Sequence, residues 1–381
     1  MSSLTISRRN LLLAALAGAG CGRRKATAYR GYCFVANQQG RTVAAVDLSH
    51  FRVRKEIVLD AEPSTVIAHP SAPKVFVLAP DTGTIYEIDA ITLSVARRAR
   101  AGNTAAGMLL SPDKDALWVL YRDPALLVEF PLQSLRQRAH VRLPSVPDGF
   151  DLSTKKQAAV ISTEAHSLTF IATPDGSIQR TVPAGVEPAL VRFQSDGRQL
   201  IVGSRAERNL SIFETAYGRV VVRLPLPIEP RNFCTKPDGG ELFVSGDGMD
   251  AVVILYPYST EIAETMLAGH APGSMAVTDS AASSFLLVSN PQANSVTVLD
   301  YDNTGRKLVA VVNVGQEPGS IVITPDQQYA LVLNQKSGDM AVIRIYELTN
   351  QTPARRYKPT PLFTMIPVGE GPVSAAVVAF T

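Results

Sequence analysis

The segment EPSTVIAHPSAPKVFVLAPDTGTIYEIDAITLSVARRARAG, residues 62–102, contains one complete unit of the fold. It holds four short runs rich in β-branched and aromatic residues, and Pro, Gly, Asp or Ser separates each run from the next. Runs of this length and composition predict β-strands, and the separating residues predict tight turns. No run has the periodicity of an amphipathic helix. The segment therefore predicts one antiparallel sheet of four strands.

The same unit returns along the chain. The proline that opens each unit recurs at about 42 residues or at one doubled step. These prolines are Pro63, Pro147, Pro188, Pro230, Pro272, Pro318 and Pro372. A fixed period of this length is typical of repeat architectures, in which each unit is one small sheet.

The strand count predicts a closed ring. Eight second strands begin near Phe34, Val75, Leu117, Ala159, Leu200, Leu242, Leu286 and Ala330. The chain starts on a second strand and ends on a first strand, Val373 to Phe380. If that last strand joins the first three, no sheet edge between the two ends is left unpaired. We therefore expect an all-β propeller of eight four-stranded antiparallel blades. Seven blades is the alternative, because the fourth unit is the least regular.

Particular strands resemble a known repeat family. The strands Phe34-Val-Ala-Asn37, Leu287-Val-Ser-Asn290 and Leu331-Val-Leu-Asn334 share one pattern, and the strand Ser295-Val-Thr-Val-Leu-Asp300 follows the second of them. This combination resembles the YVTN-type β-propeller repeat family, and the resemblance extends from about Ala28 to Thr381. It implies a propeller fold, commonly with seven blades, as an exported bacterial protein or lipoprotein. It does not imply one activity, because the same fold serves many functions.

The amino terminus predicts export. Ser7-Arg8-Arg9-Asn10-Leu11-Leu12 resembles a twin-arginine export motif, and the apolar run after it is too short to span a bilayer. Small residues before Cys21 resemble a lipobox, although Gly18 stands where Leu is usual. We expect residues 1–20 to be the export signal, 21–28 the lipidated cysteine and tether, and 29–381 a single propeller domain. An ordinary secretion signal and simple cleavage among small residues are the alternatives. The expected location is the periplasm, the outer membrane or the cell surface, with a lipid anchor at Cys21.

Composition excludes several kinds of function. The net charge is only +3, without a dominant basic run, so we expect no nucleic-acid partner. Cys33 and Cys234 fall three blades apart, too far for a disulfide. The sequence has no haem-attachment motif, no pair of His at zinc spacing, no nucleophile elbow and no phosphate-binding loop. It therefore predicts no cofactor, no metal and no catalytic residue, in a chain that acts as a monomer.

Strand parity predicts where a ligand would bind. In a four-stranded blade, the loop into the first strand and the loop between the second and third strands lie on the same face of the ring. We call this the opening face and its opposite the turn face. Loops on a rigid scaffold are the usual place for binding. The candidate ligand-binding residues there are Glu62, Arg122, His166, Glu187, Arg205, Arg208, Glu229, Arg231, Asp247 and Glu317.

Two interpretations of these residues stay open. Glu and Arg side chains could hold a ligand or a cation at the channel mouth, or each repeated Glu-Pro could only shape its own turn. The sequence favours an exported, membrane-anchored, non-enzymatic scaffold that binds an unknown protein or small molecule in the cell envelope. The alternatives are a hydrolase of the lactonase type and a periplasmic redox accessory protein.

Overall fold

The computed structural model describes residues 29–173, 175–279, 284–301, 306–349 and 360–380. The predicted export signal and tether, including Arg8, Arg9 and Cys21, lie outside these residues. The described chain forms eight sheets of four strands each, and every strand pairs antiparallel with its neighbours. The prediction of eight blades is confirmed, and the alternative of seven is wrong.

The strands are grouped by their position in the blade, from the ring axis outwards. Each group runs from blade one to blade eight, except that the inner strands run from blade two to blade eight and end with blade one. The inner strands are Thr65–Ala68, Thr104–Leu110, Gly149–Ser153, Pro188–Phe193, Glu229–Thr235, Met275–Val277, Pro318–Ile323 and Pro372–Ala379. The second strands are Gly31–Asn37, Lys74–Ala79, Ala116–Asp123, Gln157–Ser162, Gln199–Ser204, Leu242–Asp247, Phe285–Asn290 and Tyr329–Asn334.

The third strands are Thr42–Asp47, Thr84–Asp89, Leu126–Pro131, Ser167–Ala172, Asn209–Glu214, Ala251–Tyr256, Ser295–Asp300 and Asp339–Arg344. The outer strands are Arg52–Val58, Ser94–Arg100, Ala139–Arg142, Ser177–Pro183, Arg219–Pro225, Glu261–Leu267, Lys307–Asn313 and Leu362–Pro367. Within the described residues the helices are a 3-10 turn at Pro291–Ala293 and a short α-helix at Ile345–Thr349. Neither is long enough to cross a membrane.

Blade one closes the ring as the sequence predicts. Its inner strand comes from the carboxyl end of the chain and pairs with the second strand, with Gly31 opposite Ala379 and Phe34 opposite Ala376. The Asn37 side chain strengthens this junction, because its Nδ2 donates a hydrogen bond of 2.6 Å to the carbonyl oxygen of Val368. The asparagine at the end of the Phe-Val-Ala-Asn strand therefore has a structural role.

In the part of the chain that the structure describes, the core consists of eight hydrophobic clusters, one at each boundary between neighbouring blades. At the boundary that closes the ring, Cys33 and Val35 of blade one pack with Leu331, Leu333 and Val342 of blade eight. Each buried Val or Leu contributes roughly 1.5–3 kcal/mol to folding. Because every blade buries both of its faces, stability comes from packing between blades.

A β-bulge recurs in the outer strands. Seven blades shift register by one residue between their third and outer strands, as at Ala45/Val46 in blade one. Blade three has a four-residue outer strand in register instead. Bulges and short strands both discourage edge-to-edge pairing with another sheet. The exposed edges of the propeller are thus protected by backbone geometry.

Both described cysteines are free. Cys33 is buried, and burial raises the pKa of its thiol to about 12. Burial also raises the pKa of the Cys234 thiol, to about 11. Both thiols stay protonated at neutral pH and act as small apolar residues.

Candidate functional site

The opening face is built from contacts between neighbouring blades. The residue just before a third strand meets the residue that precedes the opening proline of the next blade, about 21 residues later. These contacts join Arg41 to Glu62, His166 to Glu187, Arg208 to Glu229, Asp250 to Ala271 and Asn294 to Glu317. They recur around the ring, so the repeated Glu-Pro step contributes to the joints between blades.

The backbone carries part of this joint. Glu187 and Glu317 have φ angles of 51° and 54°, in the left-handed region, and Ala271 has the same conformation. The amide of Glu317 donates to Asn294 Oδ1 at 3.0 Å. The amide of Ala271 donates to Asp250 Oδ1 at 3.1 Å, although Ala271 has no carboxylate. The joint therefore needs the backbone conformation and leaves the glutamate side chains available for other contacts.

Two of the repeated glutamates use their side chains to pair with arginine. Glu229 Oε1 lies 2.7 Å from Arg208 Nη2, and Glu62 Oε1 lies 3.4 Å from Arg41 Nη2. All four side chains are at least one-third exposed, so each pair contributes about 0–1 kcal/mol to stability. Glu62 and Glu229 are thus committed to neighbouring arginines.

The structure gathers four of the predicted residues at blade six. Arg208 binds Glu229, Glu229 lies opposite Asp247 in the sheet, and Arg231 binds Asp247. The four residues carry two positive and two negative charges, so the group has no net charge. Neutral groups of this kind fix the loops that carry them and leave little charge for a ligand.

The other predicted residues are distributed over different boundaries. Arg122 pairs with Asp148 at 2.9 Å between blades three and four. His166 Nδ1 accepts the Glu187 amide at 3.4 Å between blades four and five, and the Arg205 amide donates to the Glu187 carbonyl oxygen at 3.2 Å. These residues lie on the predicted face, but at other blade boundaries than Glu317.

Glu317 differs from Glu62 and Glu229, and it resembles Glu187, whose carboxylate is also unpaired among the described residues. Among the described residues, no hydrogen bond or ion pair reaches the carboxylate of Glu317, although its amide and carbonyl groups are bonded. The residue lines two adjoining cavities of about 780 Å³ and about 310 Å³, which also share Gln335. Volumes of this size suit small ligands.

The larger cavity lies between blades eight and one and is acidic. Its charged residues are Glu56, Glu317 and Glu370 against Lys336, three carboxylates and one ammonium group. The smaller cavity lies beside blades six to eight and offers amide and hydroxyl groups. These belong to Asn232, Ser274, Ser289, Gln292 and Gln335. Together the cavities can hold a cationic group and satisfy several hydrogen bonds.

The sequence predicts Glu317 as a ligand-binding residue, but it does not predict most of the other residues that line the two cavities. Gln335 directly follows the strand that ends at Asn334, so its place in a middle loop gave a weak signal. Glu56 lies in an outer strand, where no motif marks it. Its approach to the opening face depends on how blades one and eight pack. Among the described residues, no three His, Cys, Asp or Glu side chains are grouped so that they could hold a metal ion.

Comparison with known proteins supports the fold. A family model described as lactonase, 7-bladed beta-propeller matches residues 259–352. That segment runs from the outer strand of blade six into blade eight and is about a quarter of the chain. Comparison with curated protein sequences gives no match.

Several solved structures are similar in fold. The dihydro-heme d1 dehydrogenase NirN, in complex with DHE, is 16% identical with a TM-score of 0.70, over 95% of this chain and 78% of that one. The β-propeller domain of Cps50 (Swd1) from Myceliophteria thermophila is 14% identical with a TM-score of 0.60, over 76% and 98% of the two chains. A protein of unknown function from Desulfotomaculum acetoxidans is 11% identical with a TM-score of 0.59, over 92% and 100%. At these identities the similarity shows the propeller fold alone.

Proposed function

We propose that this protein is an exported, lipid-anchored propeller of the YVTN type that acts as a non-enzymatic binding scaffold in the bacterial cell envelope. Its ligand or partner binds on the opening face around Glu317. The observation that carries this proposal is the free carboxylate of Glu317 at two adjoining cavities. Glu62 and Glu229 occupy the same position in the repeat and are paired with arginine.

The lining of the cavities favours a particular kind of partner. Three carboxylates and one ammonium group attract positive charge to the larger cavity. Amides and hydroxyls in the smaller cavity can donate and accept hydrogen bonds. We expect a small molecule or an exposed protein segment that combines a cationic group with hydroxyl or amide groups.

The test is a pull-down from solubilised membranes with the mature chain as bait. Glu317→Gln removes the charge and keeps the shape, so recovery of a specific partner should fall about tenfold, as expected when one charge-assisted contact is lost. Glu62→Gln is the matched control, because Glu62 opens a repeat in the same way and is paired with Arg41. Equal loss of the partner in both variants, or in neither, would contradict the proposed site.

A hydrolase of the lactonase type is the second candidate. The lactonase family model matches residues 259–352, which include the blade-seven residues of the smaller cavity and Glu317 and Gln335 of blade eight, which line both cavities. A pH-stat assay with a six-membered sugar lactone tests this candidate. Turnover by the wild type that is absent in Glu317→Gln and unchanged in Glu62→Gln would favour the lactonase function over the scaffold function.

The redox accessory role is the remaining alternative. The fold similarity to the dehydrogenase NirN fits such a role, although that similarity concerns the fold alone. A visible absorption titration of the purified mature chain with haem tests it. A saturable spectral change at one equivalent would favour the redox role over the scaffold.

Export and lipidation have their own test. Replacement of Arg8 and Arg9 by lysine should stop export by the twin-arginine route, and Cys21→Ala should leave a form that lacks the lipid. Globomycin should cause the unprocessed precursor of the wild-type chain to accumulate. Processing that is insensitive to globomycin would refute the lipid anchor and leave the binding site on the opening face untouched.

A further inference from the structure

A third cavity, of about 650 Å³, opens on the turn face between blades three and four. It is separate from the opening face. Trp118 and Glu129 line its inner wall, and Asp113 and Asp115 belong to the turn at its rim. Lys156 of blade four lies on the other side. About half of the lining is apolar, so the cavity can hold a ligand that has both a charged and an apolar part.

Blade two shows how the same position is filled elsewhere in the ring. Glu87 lies opposite Phe76 in blade two, as Glu129 lies opposite Trp118 in blade three. Glu87 is only 1% exposed. Its Oε1 accepts a hydrogen bond of 2.8 Å from Lys74 Nζ, and its Oε2 accepts one of 2.8 Å from Arg97 Nε. Two cations therefore neutralise and hydrogen-bond this buried carboxylate.

Blade three has the carboxylate and lacks the lysine. Glu129 is 7% exposed, and Arg138 donates a hydrogen bond to each of its oxygens, from Nη2 to Oε1 and from Nε to Oε2 at 2.9 Å. In blade two, Lys74 lies opposite Asp89 on the neighbouring strand. At the same register in blade three, Ala116 lies opposite Pro131. Among the described residues, Arg138 is the only cation that contacts Glu129. The methyl group of Ala116 does not extend to the place where a lysine ammonium would be.

The surroundings favour positive charge more strongly in blade three than in blade two. The turn that carries Asp113, Lys114 and Asp115 has a net charge of −1, and it corresponds to residues 70–73 of blade two, which have no charge. The hydrogen bond with Ser111 contributes most to holding the pKa of Asp113 below its usual value, so this carboxylate is ionised at neutral pH. The indole of Trp118 adds an aromatic surface of the kind that attracts cations.

We propose that this cavity binds a primary ammonium group on a short alkyl chain. The ammonium group donates to Glu129, as Lys74 Nζ donates to Glu87, and the alkyl chain packs against Trp118. The ligand is either a free alkylamine or a lysine side chain of a partner protein. Both present the same chemistry to the cavity.

Trp118 is the only tryptophan of the chain, so its fluorescence reports on this cavity. The mature protein is titrated with pentylammonium chloride and with Nα-acetyl-lysine methylamide, and 1-pentanol is the neutral probe. We expect a saturable change with both amines and none with pentanol. A response to the free amine alone assigns the site to small molecules, and a stronger response to the lysine derivative assigns it to a partner protein.

Two variants test the role of the named residues. Glu129→Gln keeps the cavity and removes its buried charge, so affinity for both amines should fall by about tenfold or more. Ala116→Lys reproduces blade two and should abolish the response. Gln199→Lys, at the same register in blade five, and Glu317→Gln, on the opening face, are controls that should leave the response unchanged. Equal responses to amine and pentanol, or full affinity in Glu129→Gln, would overturn the proposal without bearing on the opening-face site.

Discussion

Blades two and three carry a buried glutamate at the same place and use it differently. In blade two, Arg97 also donates a hydrogen bond of 2.8 Å to the Gln133 carbonyl oxygen of blade three. Arg97 therefore connects the ion cluster of Glu87 and Lys74 to blade three. In blade three, Arg138 binds Glu129 with a side chain that is 54% exposed, and a cavity adjoins the pair. Blade two has Lys74 and a buried ion cluster, whereas blade three has Ala116 at the same position and an open cavity.

The largest effect should come from Lys74→Ala. Glu87 would remain buried with one cation fewer, so the free energy of unfolding should fall by about 2–3 kcal/mol. Urea denaturation measures the loss. Lys55→Ala is the control, because Lys55 is exposed on the outer strand of blade one and should change stability by about 0.5 kcal/mol at most. Equal effects of the two substitutions would remove the distinction between blades two and three.

An intermediate effect should appear as a dependence on pH. Burial raises the pKa of Glu87, but Arg97 and Lys74 outweigh burial and hold the pKa below the usual value of 4.5. The stabilisation is therefore fully present above about pH 5 and is lost as the pH falls through the lowered pKa. We expect the unfolding free energy of the wild type to decline below about pH 4.5, and Glu87→Gln to decline less steeply. Parallel profiles for the two proteins would contradict the ion cluster.

The smallest effect should come from Ala116→Lys, which gives blade three the lysine of blade two. A second cation that hydrogen-bonds the buried Glu129 beside Arg138 should raise the free energy of unfolding by about 1 kcal/mol, reduced by the entropy of ordering the lysine. Thermal and urea denaturation of the variant and of Gln199→Lys measure the difference. A loss of stability specific to Ala116→Lys would show that the two blades differ in more than this residue.

Much of the architecture could be predicted from local patterns. Alternating apolar residues bounded by Pro, Asp and Gly predicted the strands, and the offset between the chain ends predicted closure by the last strand. Turn chemistry and alternation act within a few residues, so a single repeat contains the information for its own blade. The candidate site was predicted only as a face of the ring. Which glutamates on that face are paired depends on side chains that meet from different blades.

The sequence by itself determined the eight repeats, the closure of the ring and the placing of Glu62, Glu229 and Glu317 on one face. Only the tertiary structure decided that arginines hold Glu62 and Glu229 while Glu317 borders open cavities. The physical reason is the range of the forces involved. Strand and turn preferences are set by neighbours in the chain, whereas ion pairs and cavities depend on distances of a few ångströms between residues of different blades.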